Sequence, residues 1–380
     1  MSDALLSPKH LEIQKKARDF AREYIMPVAK ELDATGEYPW DIWKRIVDMG
    51  WGCMIAPVEY GGPGLDAVSV GLVTEEFAYA CLGVMTAIGS NNLSSYPVLL
   101  GGQKELQEKY FKDLLAGKIA AFALTEPGAG CDAAACTTTA EKVGDEYILN
   151  GTKCFCTGGG VADYLIIFAV TDPDDRKNKL SCFLVEADRP GVTVGSVEDK
   201  LGVRASNTTE IILKDVKIPA MNLLGNEGDG FKMAMKTLDK ARPNVAAQAI
   251  GGAQRALDEA IEYVKNRIDA NGRPLAKNQI VQFKLADMGM KLEGARQLVR
   301  HCQVLKDLEI PYTMTAAMAK ALSTDVCVEV ACDAVEIMGY YGYSKDSIVE
   351  KVMRDAKIQQ IYEGTNEVQR IVISGQMLRS

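Results

Sequence analysis

Histidine is scarce in this 380-residue sequence, which contains only His10 and His301. Zinc enzymes commonly hold their metal through several imidazole or thiolate ligands, and a Ser-His-Asp triad needs a histidine beside its nucleophile. The sequence also lacks any C-x-x-C pair, although it has ten cysteines. We therefore expect no metal site and no hydrolytic triad, so the chemistry must depend on a carboxylate or on a bound cofactor.

An excess of basic residues and a long apolar run are also lacking. The 43 Lys and Arg are outnumbered by 51 Asp and Glu, which gives a net charge of -8 and a pI near 5.1. Nucleic-acid binding depends on clustered Lys and Arg, and a membrane span needs ~20 consecutive apolar residues. Residues 1–4 carry no basic segment typical of an export signal. We expect a cytoplasmic protein with no nucleic-acid partner and no membrane span.

The cysteines are scattered rather than arranged as a disulfide framework. They are Cys53, Cys81, Cys131, Cys136, Cys154, Cys156, Cys182, Cys302, Cys327 and Cys332. In a chain of this length, such a distribution indicates reduced and mostly buried thiols in a reducing compartment.

The period of the apolar residues changes twice along the chain, which predicts three parts. Residues 1–119 and 227–380 show the three-and-four spacing of amphipathic helices, whereas residues 120–226 contain short β-branched runs separated by polar turns. The predicted fold class is therefore α+β, with an antiparallel β domain between two helical domains. Two apolar stripes are interpreted as the core of the C-terminal bundle: Ile250, Ala253, Leu257, Ile261 and Val264, and Leu285, Met288, Leu292, Ala295 and Val299.

Local signals predict several element boundaries. Ser7 and Pro8 form a helix start, because serine caps a helix and proline suits its first turn. The polar cluster at 90–95 is interpreted as a junction between helices, and Asn150-Gly151 predicts a hairpin turn. Strands are predicted at 121–125, 147–149, 153–157, 164–170, 181–185, 192–194 and 210–213.

A carboxylate stands at a predicted break between two helices near the C-terminus. Glu363 is followed by Gly364, which lets the backbone turn tightly, and Thr365 is a suitable cap for the next helix. Such a residue is either a solvated loop carboxylate or a general base that meets a ligand beside exposed backbone amides. The spacing alone leaves both interpretations open.

Two further segments combine glycine with polar and aromatic residues. Residues 124–132 read Leu-Thr-Glu-Pro-Gly-Ala-Gly-Cys-Asp, follow a predicted strand and lie in no Rossmann unit. They form either a glycine-rich turn or a loop whose backbone N–H groups approach a flavin or its phosphates. Residues 153–159 read Lys-Cys-Phe-Cys-Thr-Gly-Gly and offer an aromatic ring next to a hydroxyl.

Residues 361–370, Ile-Tyr-Glu-Gly-Thr-Asn-Glu-Val-Gln-Arg, resemble the segment that carries the catalytic glutamate in acyl-CoA dehydrogenases. Residues 124–132 and 153–159 resemble the two flavin signatures of that family, and the resemblance covers essentially the whole chain. It implies an N-terminal helical domain (1–119), a middle antiparallel β-barrel domain (120–226) and a C-terminal four-helix bundle (227–380). It also implies FAD as the cofactor and a homotetramer, a dimer of dimers, in which the adenine end of FAD touches a neighbouring subunit.

The resemblance also implies which residues form the site. Glu363 is the expected catalytic base, and no metal ligand is expected. Expected FAD contacts are Phe122, Leu124, Thr125, Gly130, Cys131, Phe155, Cys156 and Thr157 in the β domain, and Arg267, Gln279, Glu336, Gly339, Thr365, Asn366 and Glu367 in the C-terminal part. Expected substrate contacts are Asn91, Cys131, Asp239, Arg242 and Gly364.

The sequence departs from the family's usual residues at several of these positions. Cys131 stands where serine is usual, and a thiol is a weaker hydrogen-bond partner than a hydroxyl. Phe155 replaces a tryptophan, which keeps a stacking surface but loses the indole N–H. Glu336 replaces a glutamine, residues 269–272 replace Phe-Gly, and Tyr340 replaces a glycine. These changes predict an unusual site and subunit interface within the same fold.

The implied reaction is 2,3-dehydrogenation of an acyl-CoA, in which Glu363 takes the α-proton and the β-hydrogen leaves as hydride to flavin N5. The electrons would pass to an electron-transfer flavoprotein. Short straight, branched and alicyclic acyl groups all fit, and the neutral Asn91 and Asn92 predict no second base. The alternatives are an acyl-CoA oxidase, an enoyl-CoA reductase running the reverse reaction, and a non-catalytic acyl-CoA-binding scaffold.

Overall fold

The N-terminal part is helical in the computed structural model, which describes residues 6–175 and 178–379. Its helices are α1 (Pro8–Phe20), α2 (Ala29–Thr35), α3 (Trp40–Asp48), α4 (Ala67–Ala80), α5 (Leu82–Gly101) and α6 (Lys104–Leu115). The predicted start of α1 is confirmed, because the Ser7 hydroxyl accepts a hydrogen bond from the His10 N–H at 3.2 Å and Pro8 begins the helix. The prediction about residues 1–4 lies outside the described residues.

The polar cluster at 90–95 is not a junction, as the sequence predicted, but the buried middle of α5. The Asn91 side-chain amide donates to the carbonyls of Gly52 and Lys118 at 2.9 and 3.0 Å, and its oxygen accepts from the Ala120 N–H at 2.7 Å. Asn91 and Asn92 are tolerated inside this helix because they satisfy backbone groups of the segments packed around it. The cluster therefore ties α5 to the first strand.

The middle part forms one mixed sheet. Its strands are β1 (Ala120–Ala123), β2 (Thr139–Val143), β3 (Glu146–Thr157), β4 (Tyr164–Val170), β5 (Leu180–Glu186), β6 (Val192–Val197), β7 (Thr208–Pro219) and β8 (Leu223–Leu224). The order is β6-β7-β3-β2-β4-β5-β8, and β1 pairs with β4. Residues 120–226 thus contain the expected β structure without an intervening long helix.

The predicted antiparallel barrel needs two corrections. β1 runs parallel to β4, and β2 makes one parallel pairing with β4, so the sheet is mixed. The pairing order also ends at β6 on one side and at β8 on the other, so the sheet formed by the described residues is not closed. The physical reason lies in the long segment 124–138, which separates β1 from β2 and leaves β1 free to pair with a strand far along the chain.

Asn150-Gly151 does not form the predicted hairpin turn but lies inside β3. A shift of register between Leu149 and Gly151 marks a bulge opposite β7, and the chain reverses instead at Gly144, between β2 and β3. Gly151 has φ 152, and a Cβ there would meet the Thr138 hydroxyl at 2.4 Å. The glycine is therefore needed for a close approach of two segments rather than for a turn.

The C-terminal part consists of five helices: α7 (Gly230–Asn266), α8 (Gln279–Asp307), α9 (Thr313–Tyr343), α10 (Ile348–Gln359) and α11 (Asn366–Met377). The interpretation of the two apolar stripes as core is confirmed, since Ile250, Ala253 and Leu292 are among the buried residues. Non-helical angles at Gly339 interrupt α9. The arrangement is larger than a plain four-helix bundle, because α4 also packs against α7 and α8.

The helices at the two ends of the chain share one hydrophobic core. Val73 and Phe77 of α4 belong to the same buried cluster as Ile250 of α7 and Val330 of α9. The strand β1 begins at Ala120, and the division into three domains with the bounds given above stays a prediction.

The ten cysteines are free, and all except Cys131 and Cys332 are buried, as their distribution predicted. Within residues 6–175 and 178–379, no helix is long and apolar enough to cross a membrane.

Candidate active site

The segment between α10 and α11 forms a tight turn around Glu363. Glu363 and Gly364 both have left-handed backbone angles, with φ 51 and φ 86. The Thr365 hydroxyl then caps α11 by accepting from the Val368 N–H at 3.3 Å. The predicted helix break is confirmed, and Glu363 occupies a conformation that costs a non-glycine residue about 1–2 kcal/mol.

Side chains from two helices hold this turn in place. The Gln369 side-chain amide donates to the carbonyls of Gly364 and Glu363 at 2.8 and 3.3 Å. The Lys320 ammonium group donates to the Gly364 carbonyl at 2.9 Å and to the Asn366 side-chain oxygen at 3.0 Å. A strained residue that is fixed from several directions is typical of functional sites.

The Glu363 carboxylate has the properties of a base near neutral pH. Its Oε2 atom is buried and has no hydrogen-bond partner, although the residue as a whole is half-buried. Burial raises the pKa of Glu363 to about 7, while the nearby cations Lys320 and Arg242 act in the opposite direction. A buried polar atom without a partner indicates a place where a ligand or water completes the site.

The structure brings Arg242, one of the predicted substrate contacts, beside Glu363. Arg242 is buried, pairs with Asp239 and has a buried Nε without a hydrogen-bond partner. Asp239 also accepts from the Thr313 hydroxyl at 3.0 Å, so its carboxylate is engaged within the protein. Arg242 is therefore the better placed of the two predicted residues to meet a ligand.

Sequence reasoning missed three residues around Glu363. Lys320 is fully buried on α9, and the phenols of Tyr96 on α5 and Tyr362 lie close enough for the Glu363 charge to raise their pKa values further, after burial itself. The Tyr362 hydroxyl donates to the Gln248 side chain at 2.9 Å. Lys320 could have been suspected, because it is the one charged residue in the apolar and hydroxylic stretch 313–324.

A buried ion pair supports the first glycine-rich segment. Lys153 donates to Glu126 at 2.7 Å and to the Leu124 carbonyl at 3.2 Å, and Glu126 accepts from the N–H groups of Thr137 and Thr138. Burial alone would raise the pKa of Glu126, but the hydrogen bonds from Lys153 and Thr138 hold it at about 2. The pair fixes both ends of a loop whose tip is exposed.

The second segment turns an aromatic ring outward. Phe155 has φ 54 and is 62% exposed, at a register shift between β3 and β7. An exposed aromatic ring in a constrained backbone offers a stacking surface for a planar group. The Cys154 N–H donates to the Thr125 carbonyl at 2.9 Å, so the two glycine-containing segments are adjacent.

Some predicted cofactor contacts have side chains that point into the protein. Cys156 and Leu124 are buried, and the Phe122 ring packs against Phe168 with centroids 5.1 Å apart. The Asn366 side chain is also buried and donates to Asp325 at 2.7 Å. If these residues touch a cofactor, they do so through backbone atoms or the edge of a ring rather than through a polar side-chain group.

The β domain and the C-terminal helices meet near the turn. The Cys131 thiol lies 4.0 Å from the Thr365 hydroxyl, although the two residues come from segments that are far apart in the sequence. A Cβ built on Gly130 would meet nothing within 4 Å, so this loop leaves open space. The N-terminus of α11, whose first turn includes exposed Glu367, faces the same junction.

Two of the other predicted cofactor contacts, Arg267 and Gly339, lie around a separate cavity. A cavity of about 500 Å³ is lined by residues that include Arg267, Asp269, Gly339 and Tyr341. Glu336 is instead exposed and pairs with Lys284 at 2.5 Å, and Gln279 is exposed at the start of α8. The structure thus brings Arg267 and Gly339 together, while the assignments of Glu336 and Gln279 as FAD contacts stay predictions.

Asn91 is the predicted substrate contact that the hydrogen bonds support least. Its amide is engaged with three backbone groups, and the residue is buried. No group of three or more His, Cys, Asp or Glu side chains in the described part of the chain is arranged to hold a metal ion.

Comparison with known families decides the relationship. Residues 7–118 match the N-terminal domain of acyl-CoA dehydrogenases, 121–216 the middle domain and 228–378 the C-terminal domain. The chain belongs to the acyl-CoA dehydrogenase family. The family uses FAD, and the protein is accordingly an oxidoreductase that acts on acyl-CoA.

Individual relatives are similar along nearly the whole chain. An acyl-CoA dehydrogenase of Bacillus subtilis (strain 168) is 44% identical over 380 residues, which cover 98% of this chain and 99% of the relative. The structure of butyryl-CoA dehydrogenase from Megasphaera elsdenii has a TM-score of 0.95 at 43% identity and covers 98% of this chain and 99% of its own. A chain from a structure described as the electron transferring flavoprotein of Acidaminococcus fermentans has a TM-score of 0.96 at 43% identity, with 99% of both chains covered.

The residues of this acyl-CoA dehydrogenase fit its cofactor. Phe155 offers an exposed aromatic face, Gly130 leaves open space beside its loop, and the Glu363 carboxylate has an unpartnered buried oxygen two residues before Thr365, which lies beside Cys131. These are the features that a planar cofactor and a substrate between the β domain and the C-terminal helices require. The individual FAD contacts remain predictions.

Proposed function

We propose that this acyl-CoA dehydrogenase forms 2,3-enoyl-CoA by using Glu363 to remove the α-proton of its thioester substrate. The observation that carries the proposal is the buried, unpartnered Oε2 of Glu363, together with a pKa of about 7. A general base is most effective when its pKa lies near the operating pH. The carboxylate also sits on a turn that hydrogen bonds from Gln369 and Lys320 fix in place.

The α-proton of a thioester is weakly acidic, so its removal needs a positioned base and a stabilised carbonyl oxygen. Glu363 would accept the proton on the free Oε2. Its own backbone N–H would donate to the thioester carbonyl, as the family resemblance implies, and such donors are typically worth ~2.7–4 kcal/mol. Bound FAD would supply the two-electron oxidising capacity that loss of the β-hydrogen requires. The exposed ring of Phe155 would orient the cofactor, and burial around Glu363 would keep water away from the ionising groups.

We propose a short-chain acyl-CoA as the substrate. The support is the similarity to butyryl-CoA dehydrogenase from Megasphaera elsdenii at 43% identity over nearly the whole chain. Asn91 and Asn92 are neutral and engaged in hydrogen bonds to backbone groups, which gives no second acid in that part of α5. A substrate series of straight, branched and alicyclic acyl-CoAs distinguishes the three classes by the rate of flavin reduction.

We propose an electron-transfer flavoprotein as the electron acceptor and a cytoplasmic homotetramer, a dimer of dimers, as the assembly. The similar Acidaminococcus fermentans chain comes from a structure described as an electron transferring flavoprotein, which supports the first point. Exposed apolar side chains on α8, among them Ile280 and Phe283, support burial by a second copy. Light scattering of the purified protein tests the assembly, and hydrogen peroxide formed as fast as enoyl-CoA would indicate an oxidase instead.

The decisive experiment compares wild type with Glu363→Gln in anaerobic stopped-flow with butyryl-CoA. The glutamine keeps the shape of the side chain but cannot take the proton, so flavin reduction should slow by about 10²–10⁴-fold. Glu108→Gln is the matched control, because it makes the same substitution on an exposed carboxylate of α6 that is not among the predicted FAD or substrate contacts. Flavin reduction by Glu363→Gln within a few-fold of wild type would show that Glu363 is not the base.

A further inference from the structure

Lys320 is a fully buried cation next to the turn that carries Glu363. It lies on α9 at 0% exposure, in a stretch of alanine, methionine, serine and threonine. Lysine is rarely buried unless an opposite charge accompanies it. Among the described residues, however, no carboxylate oxygen lies within 4.0 Å of the Lys320 ammonium group. This cation therefore needs an explanation other than an ordinary ion pair.

The Lys320 ammonium group is hydrogen-bonded to the turn and to the first residue of α11. The ammonium group donates to the Gly364 carbonyl at 2.9 Å and to the Asn366 side-chain oxygen at 3.0 Å. The same Asn366 side chain is bonded to the Thr324 hydroxyl, one turn further along α9. Lys320 thus binds both Gly364, which directly follows Glu363, and Asn366, the first residue of α11.

The positive charge of Lys320 acts on Glu363 without a paired carboxylate among the described residues to offset it. Two cations favour ionised Glu363, Lys320 from α9 and Arg242 from α7, but Arg242 is paired with Asp239. The other titratable groups facing this carboxylate are the neutral phenols of Tyr96 and Tyr362. Burial lowers the pKa of Lys320 to about 8, with Glu363 as the main group that opposes this change. Asp325 and Glu367 also raise the pKa of Lys320, but less than Glu363 does.

We propose that Lys320 is the positioning residue for Glu363: it fixes the left-handed Glu363–Gly364 turn through its hydrogen bonds to Gly364 and Asn366 and supplies a positive charge that favours the ionised form of the carboxylate. The proposal rests on the proposed role of Glu363 as the base. Lys320 takes no part in proton or hydride transfer itself. It sets the direction in which the carboxylate points and the pH above which the carboxylate can accept a proton.

Three substitutions separate the effect of the Lys320 hydrogen bonds from the effect of its positive charge. Lys320→Met removes the charge and both donors at similar side-chain length, Lys320→Gln keeps a neutral donor, and Lys320→Arg keeps the charge. Lys291→Met serves as the matched control, because Lys291 is half-exposed and pairs with Glu329 elsewhere on the bundle. If Lys320→Met does not fold, Lys320→Gln still removes the charge.

The first measurement observes Glu363 directly. The infrared band of its protonated carboxyl group is isolated as the difference between a protein and its Glu363→Gln counterpart and is followed as a function of pH. The midpoint should move by at least about one pH unit to higher pH in Lys320→Met or Lys320→Gln, because loss of a nearby cation favours the neutral acid. It should stay near the wild-type value in Lys320→Arg and Lys291→Met. This readout does not depend on turnover.

The second measurement is the pH profile of flavin reduction by butyryl-CoA. The acidic limb of the profile should move to higher pH in Lys320→Met and Lys320→Gln. At a pH below the pKa of the base, the rate of flavin reduction should therefore fall about tenfold for each pH unit of the shift. A rate that falls by one factor at every pH, with an unmoved infrared midpoint, would mean that Lys320 only supports the structure and would overturn the proposal. If Glu363→Gln itself reduced flavin at the wild-type rate, the proposed base would fail instead, whatever the infrared titration of Lys320 variants shows.

Discussion

The stability of the protein should depend on pH through Glu363. Burial raises the pKa of Glu363 from 4.5 to about 7 in the folded state. A carboxyl group with a raised pKa binds its proton more tightly when folded, so stability is greatest below the unfolded pKa and decreases as the pH rises through the folded one. Glu363→Gln cannot ionise, and we therefore expect it to be more stable than wild type above neutral pH.

The size of the effect follows from the pKa. Each pKa unit corresponds to ~1.4 kcal/mol, so the change at Glu363 is worth roughly 3 kcal/mol. Unfolding entropy is about 2 cal/mol/K per residue, and for 380 residues this free energy corresponds to roughly 4 °C in the midpoint of thermal unfolding. The difference between variant and wild type should be complete above the folded pKa of about 7 and absent below 4.5.

Calorimetry of the flavin-loaded proteins across this pH range measures the difference. Glu367→Gln is the control of opposite sign, since the pKa of exposed Glu367 is lowered by hydrogen bonds from its own N–H and from Thr365. It should not raise the midpoint at any pH. A Glu363→Gln midpoint that equals or falls below that of wild type at about pH 8 would refute the reasoning, because the buried charge would then carry no net cost.

Two further substitutions test the supports of the site. Lys153→Met should destabilise the protein by about 3–5 kcal/mol and lower its flavin content, because Glu126 is left buried without its cation. In unfolding experiments, the double variant Lys153→Met with Glu126→Gln should recover part of the lost stability. Gly364→Ala should slow flavin reduction, because a Cβ at φ 86 would meet the Gln369 amide at 2.9 Å and cost about 1–2 kcal/mol. A wild-type reduction rate for Gly364→Ala would contradict this.

The sequence predicted the elements whose signals are local. Ser7 and Pro8 begin α1, residues 164–170 form a strand with the predicted bounds, and Glu363 lies between two helices. In each case the signal is a cap, a continuous apolar run or a turn, and it lies within the element that it predicts. Such features can be read without knowledge of distant neighbours.

Features that depend on distant segments could not be predicted in this way. Asn150-Gly151 has the composition of a hairpin turn, but the close approach of Thr138 requires glycine inside a strand instead. The polar cluster at 90–95 has the composition of a helix junction, but Asn91 is satisfied by Gly52, Lys118 and Ala120. At both positions, contacts with distant segments determine the local structure.

The candidate site shows the same division. The motif around Glu363 identified the carboxylate, whereas Lys320, the cation that most opposes the effect of burial on its pKa, comes from α9 and forms no motif with it. The side chains of Cys156 and Asn366 belong to motif segments but point into the protein. A motif therefore indicates the segment that forms a site, and the fold decides which atoms of that segment are presented.

The core shared by α4, α7 and α9 has a consequence for how the chain acquires its structure during synthesis. Phe77 and Val73 share their buried cluster with Ile250 and Val330, which are made only after the whole sheet has been synthesised. Contacts between such distant parts of a chain form slowly and leave apolar surface exposed until they do. The N-terminal helices should therefore remain incompletely packed until the last third of the chain has left the ribosome. The strands of the sheet, in contrast, pair with one another within one continuous stretch of the chain.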